Sequence, residues 1–84
     1  MSSVKVRVVY FAQAREFAGT QEDEFVLTSP AYVEHLFSEV MNAHPKLSKI
    51  RQIIRTLVNG RPVLENVELK DGDRVALLPP VAGG

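Results

Sequence analysis

The chain has 84 residues, 45% of them hydrophobic, or about 38 apolar side chains, enough for one core and too few for a second domain. Ten lysines and arginines balance ten aspartates and glutamates, so no basic field is available to hold a nucleic-acid backbone or an anionic membrane surface. Cysteine is absent, which excludes disulfides, a thiolate nucleophile and cysteine-ligated zinc. Met1-Ser2-Ser3 leads straight into a strand-like run, and no apolar stretch is long enough to span a bilayer. The expected location is cytoplasmic.

The first run, Val4-Lys5-Val6-Arg7-Val8-Val9-Tyr10-Phe11, puts Val4, Val6, Val8 and Tyr10 on one face and ends apolar on both, as a strand near a sheet centre does. Residues 12–18 are rich in helix formers, with Phe11, Ala14 and Phe17 at helical spacing and Gly19 as the stop. After the polar Thr20-Gln21-Glu22-Asp23, the segment Glu24-Phe25-Val26-Leu27 predicts a short strand returning antiparallel to the first. The acidic cluster Glu22, Asp23 and Glu24 is expected at a solvated turn. Ser29-Pro30 predicts a helix start, with the serine hydroxyl as cap and the proline at the first helical position. Behind it Val33, Leu36, Phe37, Val40, Met41 and His44 form one apolar stripe that stops at Pro45. His35 falls off that stripe and is expected exposed, while His44 sits at the helix end, where a cation suits the dipole. Leu47, Ile50, Ile53 and Ile54 keep helical spacing and fit either a second short helix or a packed loop.

Asn59-Gly60 lies between Thr56-Leu57-Val58 and Arg61-Pro62-Val63, the signature of a two-residue type I′ hairpin, and Pro62 marks its second arm as an edge. Val67 and Leu69 precede a turn at Lys70-Asp71-Gly72-Asp73, and Arg74-Val75-Ala76-Leu77-Leu78 reads as a last strand apolar enough to be buried on both faces. The predicted class is α+β: a mixed sheet of four to five strands, its two most hydrophobic strands side by side at the centre, covered by one main helix. The expected organisation is a body over residues 1–78 and a tail over residues 79–84.

That tail, Pro79-Pro80-Val81-Ala82-Gly83-Gly84, carries the functional signal. Two prolines favour an extended exit that neither joins the sheet nor starts a helix. Six residues at about 3.3 to 3.6 Å each reach roughly 20 Å. A diglycine end allows the Gly84 carboxylate to pass down a channel too narrow for Cβ atoms. No metal site, catalytic triad, paired-acid arrangement or phosphate loop accompanies it: two lone histidines lack a third ligand, and Ser29 has no elbow motif around it.

The segment Phe11-Ala12-Gln13-Ala14-Arg15-Glu16-Phe17-Ala18-Gly19, the Val58-Asn59-Gly60 hairpin, Lys70-Asp71-Gly72-Asp73 and the ending Leu78-Pro79-Pro80-Val81-Ala82-Gly83-Gly84 resemble the small, sulfur-carrying subunits of molybdopterin synthase. The resemblance spans nearly the whole chain and departs at Ala82, where many relatives would carry serine. It implies the β-grasp, ubiquitin-like fold. It further implies that Gly84 is the reactive residue. A carboxylate is a poor electrophile, so an E1-like enzyme, which itself holds ATP and its metal, would first adenylate Gly84. A sulfurtransferase relay would then convert the adenylate to a thiocarboxylate. The tail would carry this nucleophile into a larger synthase subunit, in a heterotetramer, to attack the cyclic pyranopterin precursor. In this reading the chain binds no cofactor and donates sulfur without supplying acid–base groups; Gly83 gives clearance, and Pro79, Pro80, Val81 and Ala82 guide the tail.

A tail alone cannot hold a specific partner, so an apolar docking patch is expected on the sheet, with Phe11, Leu57, Val75 and Leu77 as candidates that could equally be core. Arg15 and Glu16 fit a recognition pair less well than solvated surface. The same tail chemistry would serve a carrier for thiazole, cysteine or transfer-RNA thiolation. A protein modifier joined to lysines through Gly84, or a plain interaction module indifferent to Gly84, are the remaining readings.

Overall fold

The computed structural model describes residues 2–80. Strand β1 (Ser3–Tyr10) alternates as its sequence requires: Val4, Val6, Val8 and Tyr10 are buried while Lys5 and Arg7 are exposed. Helix α1 (Ala12–Ala18) buries Ala14 and ends at Gly19 in the left-handed region (φ 75°), whose N–H donates to the Arg15 carbonyl at 2.9 Å. Strand β2 (Glu22–Thr28) runs antiparallel to β1 with Val6 opposite Phe25. It begins two residues before the predicted start, so Glu22, Asp23 and Glu24 lie in a strand and not in a turn: the β1 ladder continues through Val9 and holds them extended.

The main helix, α2 (Val33–Ala43), starts three residues after Pro30, and Ser29 does not cap it. Ala31 and Tyr32 instead form a two-residue strand, β3, paired antiparallel with β6 (Glu68–Leu69) in a small second sheet. That pairing keeps the backbone extended past the proline. The amides of the first helical turn are satisfied from a distant loop: Val33 N–H donates to the Val67 carbonyl (3.0 Å) and Glu34 N–H to Asn66 Oδ1 (2.9 Å). The predicted stripe faces the core, with Val33, Leu36 and Val40 buried and Phe37 and Met41 packed against them.

Residues Pro45–Ile53 form a 3₁₀ helix that buries Leu47 and Ile50 and leaves Ile53 half exposed, resolving the open choice in favour of a helix. Strands β4 (Arg55–Val58) and β5 (Arg61–Val63) make the expected hairpin, with both turn residues at positive φ, Asn59 at 52° and Gly60 at 83°. Strand β7 (Arg74–Leu78) completes a five-stranded sheet of order β2-β1-β7-β4-β5. β1 and β7 are parallel neighbours at its centre, and Pro62 sits on the edge strand. This mixed sheet under one main helix is the β-grasp arrangement. The core lies between the inner sheet face and α2, with Val6, Val8, Leu36, Val40, Leu47, Val75 and Leu77 fully buried.

Candidate functional site

β7 is both the central strand and the segment that leads to Pro79 and Pro80, so its side-chain alternation decides which residues face outward near that exit. Cross-strand neighbours share a face. Thr56 and Tyr10 flank Leu77, and Val58 and Val8 flank Val75. Val75 and Leu77 are wholly buried on the inner, helix-covered face. They are therefore core residues, and their proposed docking role is corrected: an outside partner cannot touch them. The strand is not equally buried on its two faces either, since Ala76 and Leu78 are only half buried.

The outer face is built from the intervening residues. Leu57 and Val9 flank Ala76, and Arg55 pairs with Leu78. Phe11, one residue beyond the end of β1, is 41% exposed, and its N–H donates to the Leu77 carbonyl at 3.2 Å. Phe11, Leu57, Ala76 and Leu78 together line a shallow apolar depression of about 400 Å³, with Asn59, Gly60 and Arg74 at its rim. Two of the four docking candidates, Phe11 and Leu57, are thus brought together. On β7, Ala76 and Leu78, and not Val75 and Leu77, share this face with them.

The wall formed by the hairpin is held rigidly. Asn59 Oδ1 accepts the Arg74 N–H (3.0 Å), the Asn59 amide donates to Asp73 Oδ1 (2.8 Å), and its backbone N–H donates to the Arg74 carbonyl (2.8 Å). Asp73 Oδ2 in turn accepts the Lys70 N–H at 2.8 Å. One side chain at the turn therefore ties β4 and β5 to the start of β7. Sequence reasoning identified Asn59 as a turn former and missed this second role, which depends on a strand fifteen residues away.

At the exit of β7, Pro79 is buried and Pro80 exposed. Of the residues expected to guide the tail, Pro79 is thus packed against the body and Pro80 faces solvent. Val81, Ala82, Gly83 and Gly84 lie outside the described residues.

A second polar constellation lies away from this face. Asp23 Oδ2 accepts the Tyr10 hydroxyl (2.9 Å) and meets His44 Nε2 at 2.5 Å, and the Tyr10 and His44 rings stand edge to face with centroids 5.5 Å apart. Burial pushes the Tyr10 hydroxyl far above the ordinary phenol range, and the hydrogen bond to Asp23 and that residue's charge act in the same direction. This cluster pins the end of α2 to β1 and β2. His44 occupies the C-cap of α2, at the end of the predicted stripe, and its partner Asp23, expected in a solvated turn, is half-buried. His35 is exposed as expected, yet its Nδ1 accepts the Tyr32 N–H at 3.1 Å. Arg15 and Glu16 are both exposed. Among the described residues, no three His, Asp or Glu side chains converge as a metal site, and no helix is long and apolar enough to cross a membrane.

A family model, that of the ThiS family, matches residues 8–84. The chain belongs to the ThiS family. It is 37% identical over 83 residues to a Chlamydomonas reinhardtii protein named molybdopterin synthase sulfur carrier subunit, covering 96% of this chain and 100% of that protein. Among solved structures, the Pyrococcus furiosus protein assigned as molybdopterin converting factor subunit 1 superposes with a TM-score of 0.84 at 40% identity, covering 93% of this chain and 99% of that one. SAMP1, the small archaeal modifier protein 1, from Haloferax volcanii gives a TM-score of 0.87 at 28% identity, with 95% and 99% coverage. A Helicobacter pylori complex of subunits 1 and 2 of molybdopterin-converting factor also matches, with a TM-score of 0.68 at 26% identity and 96% and 100% coverage. The ThiS match runs through both glycines at the end of the sequence, and the fold of this family is the β-grasp architecture described above.

Proposed function

We propose that this ThiS-family chain is the sulfur-carrier subunit of a molybdopterin synthase, presenting its sulfur as a thiocarboxylate on Gly84. The observation that carries the reading is the full-length likeness to the Chlamydomonas sulfur carrier subunit; the apolar outer face that adjoins the tail exit supports it. In this reading an E1-like enzyme joins the Gly84 carboxylate to AMP and releases pyrophosphate. A persulfide sulfur from a sulfurtransferase then displaces AMP to form an acyl disulfide, and a thiol reductant attacks the sulfurtransferase sulfur, forming a mixed disulfide with that enzyme and leaving the thiocarboxylate on Gly84. ATP and its metal belong to the activating enzyme.

A larger subunit, of the kind present in the Helicobacter complex, docks on Phe11, Leu57, Ala76 and Leu78. Rigid docking and a short lead of chain from Pro80 confine the sulfur near the partner's substrate, which is catalysis by proximity. The dithiolene needs two sulfurs, so two loaded carriers are consumed per product, in keeping with a heterotetramer. Intact-mass measurement after incubation with the activating enzyme, a persulfide-loaded sulfurtransferase, a thiol reductant and ATP tests the loading step. Replacement of one oxygen by sulfur, confined to Gly84, is the expected result, and an unchanged mass refutes it.

The likeness to SAMP1 favours one second reading, a protein modifier whose Gly84 ends in an isopeptide bond to lysine. An immunoblot of cell extract separates the two: a ladder of high-mass conjugates marks the modifier, a lone small band the carrier.

A further inference from the structure

Charge is arranged unevenly about the apolar depression on the outer sheet face. Among the described residues, Arg74 is the one charged residue that lines it. The cross-strand neighbour of Arg74 on β1 is Arg7, also exposed, so two arginines stand directly opposite one another, an arrangement that destabilises a sheet. On the β4 side stands Asn59, which is uncharged and bonds the Arg74 backbone. Neither arginine forms an ion pair among the described residues.

The neighbouring carboxylates are engaged or screened from Arg74. Both oxygens of Asp73 accept hydrogen bonds, Oδ1 from the Asn59 amide and Oδ2 from the Lys70 N–H. Asp71 Oδ1 accepts the Lys5 N–H at 2.8 Å. Glu24 lies opposite Arg7 on the side away from β7, so Arg7 stands between it and Arg74. Lys5, Arg7, Arg74, Glu24 and Asp73 share a smaller hollow of about 230 Å³ at the foot of β7. Its three cations exceed its carboxylates by one, and Asp71 lies just beyond it. That balance is too small for a dianionic phosphate and suits a single carboxylate in the fork of a guanidinium.

We infer that the surface of the larger synthase subunit seated on Phe11, Leu57, Ala76 and Leu78 carries an aspartate or glutamate at the foot of the patch, received by Arg74 with Arg7 behind it. The inference rests on the carrier reading above. A guanidinium holds a carboxylate through two parallel N–H···O bonds, which fix direction as well as position. The incoming charge also relieves the opposition of Arg7 and Arg74, an interaction available only in the complex. Direction matters because an apolar depression alone lets a docked body turn about the normal to the sheet. Arg74 is four residues, about 13 Å, from Leu78. The ion pair and the exit at Pro79 and Pro80 therefore sit at opposite ends of the patch, and the pair sets the heading in which the chain leaves the body.

The test is titration of the full chain and its variants against the larger subunit at low and moderate salt. Arg74→Met keeps the apolar stem and should melt within about 3 °C of the parent. It should bind about threefold to fivefold more weakly and lose part of the salt dependence. Arg74→Glu sets carboxylate against carboxylate and should weaken binding at least about tenfold. Lys49→Glu, at an exposed position of the 3₁₀ helix, changes the net charge as much and should bind within about twofold of the parent. In Arg74→Lys, carbodiimide coupling should join position 74 to an aspartate or glutamate of the larger subunit, identified by mass spectrometry. Parent-like affinity and salt dependence in Arg74→Met and Arg74→Glu overturn the inference, as does the absence of that crosslink in the assembled complex. Equal weakening by Lys49→Glu overturns it too, because long-range attraction then accounts for the effect. Weaker binding of Leu78→Ala with parent-like binding of Arg74→Glu removes this inference and leaves the docking face standing, whereas a parent chain that does not bind the larger subunit removes both.

Discussion

Adjacent residues of β7 should fail in opposite ways when truncated. Leu77 is fully buried between Tyr10 and Thr56, whereas Leu78 is half buried on the outer face. Leu77→Ala removes three carbons from a packed core and should cost about 3 kcal/mol. An unfolding entropy of about 2.1 cal/mol/K per residue over 84 residues comes to roughly 0.18 kcal/mol/K, so that loss lowers the Tm by about 17 °C. Leu78 is partly buried on an open face, so Leu78→Ala leaves no enclosed cavity and should cost about 1.5 kcal/mol, or about 8 °C. Affinity for a larger synthase subunit reverses the order. Leu78→Ala truncates an apolar anchor at the centre of the docking face and should weaken association at least about tenfold, while Leu77→Ala, measured well below its Tm, should bind within about threefold of the parent. Calorimetric melting and titration of the two variants against the larger subunit provide both numbers. Equal destabilisation by the two, or unchanged affinity for Leu78→Ala, would refute the assignment of faces.

Further expectations concern the polar ties. Because the folded state raises the Tyr10 pKa above its unfolded value, the stabilisation is intact below about pH 10 and is lost as pH rises beyond it. Tyr10 phenolate absorbance should therefore appear together with alkaline unfolding, followed by circular dichroism, and not before it. Tyr10→Phe leaves Asp23 with His44 and should cost about 1–2 kcal/mol in urea denaturation at neutral pH. Asn59→Ala breaks two side-chain hydrogen bonds and places a Cβ-bearing residue without a polar side chain at positive φ. A loss of about 2 kcal/mol is expected, with weaker docking because the hairpin wall loosens. Asn66→Ala should cost about 1 kcal/mol and raise amide exchange in the first turn of α2, at Glu34 above all.

Much of the fold was legible because its periodicities are strong. Val4, Val6, Val8 and Tyr10 name the buried face of β1, the stripe from Val33 to His44 names the inner face of α2, and Asn59-Gly60 names a turn that only positive φ can make. What escaped depends on contacts distant in sequence. The start of α2 is set by Leu69 pairing with Ala31 and by Asn66 reaching Glu34, and a local cap signal at Ser29-Pro30 cannot report either. Asp23 looks like one of three solvated acids until Tyr10 and His44 converge on it. In β7 a run of four apolar residues hides the alternation, so Val75 and Leu77 could not be told from Ala76 and Leu78 without the register that sets Leu57 beside Ala76. The tail carries its signal in composition alone, and Gly84 lies outside the described residues.

The central claim, that sulfur is delivered from the Gly84 carboxyl group of a body that docks independently, is tested most directly by a chain lacking that single residue. Mixed with the larger subunit, the activating enzyme, a persulfide-loaded sulfurtransferase, a thiol reductant, ATP and the cyclic pyranopterin precursor, the truncated chain should bind the larger subunit with unchanged affinity and yield no dithiolene product. Product formation at the rate of the full chain would contradict the account.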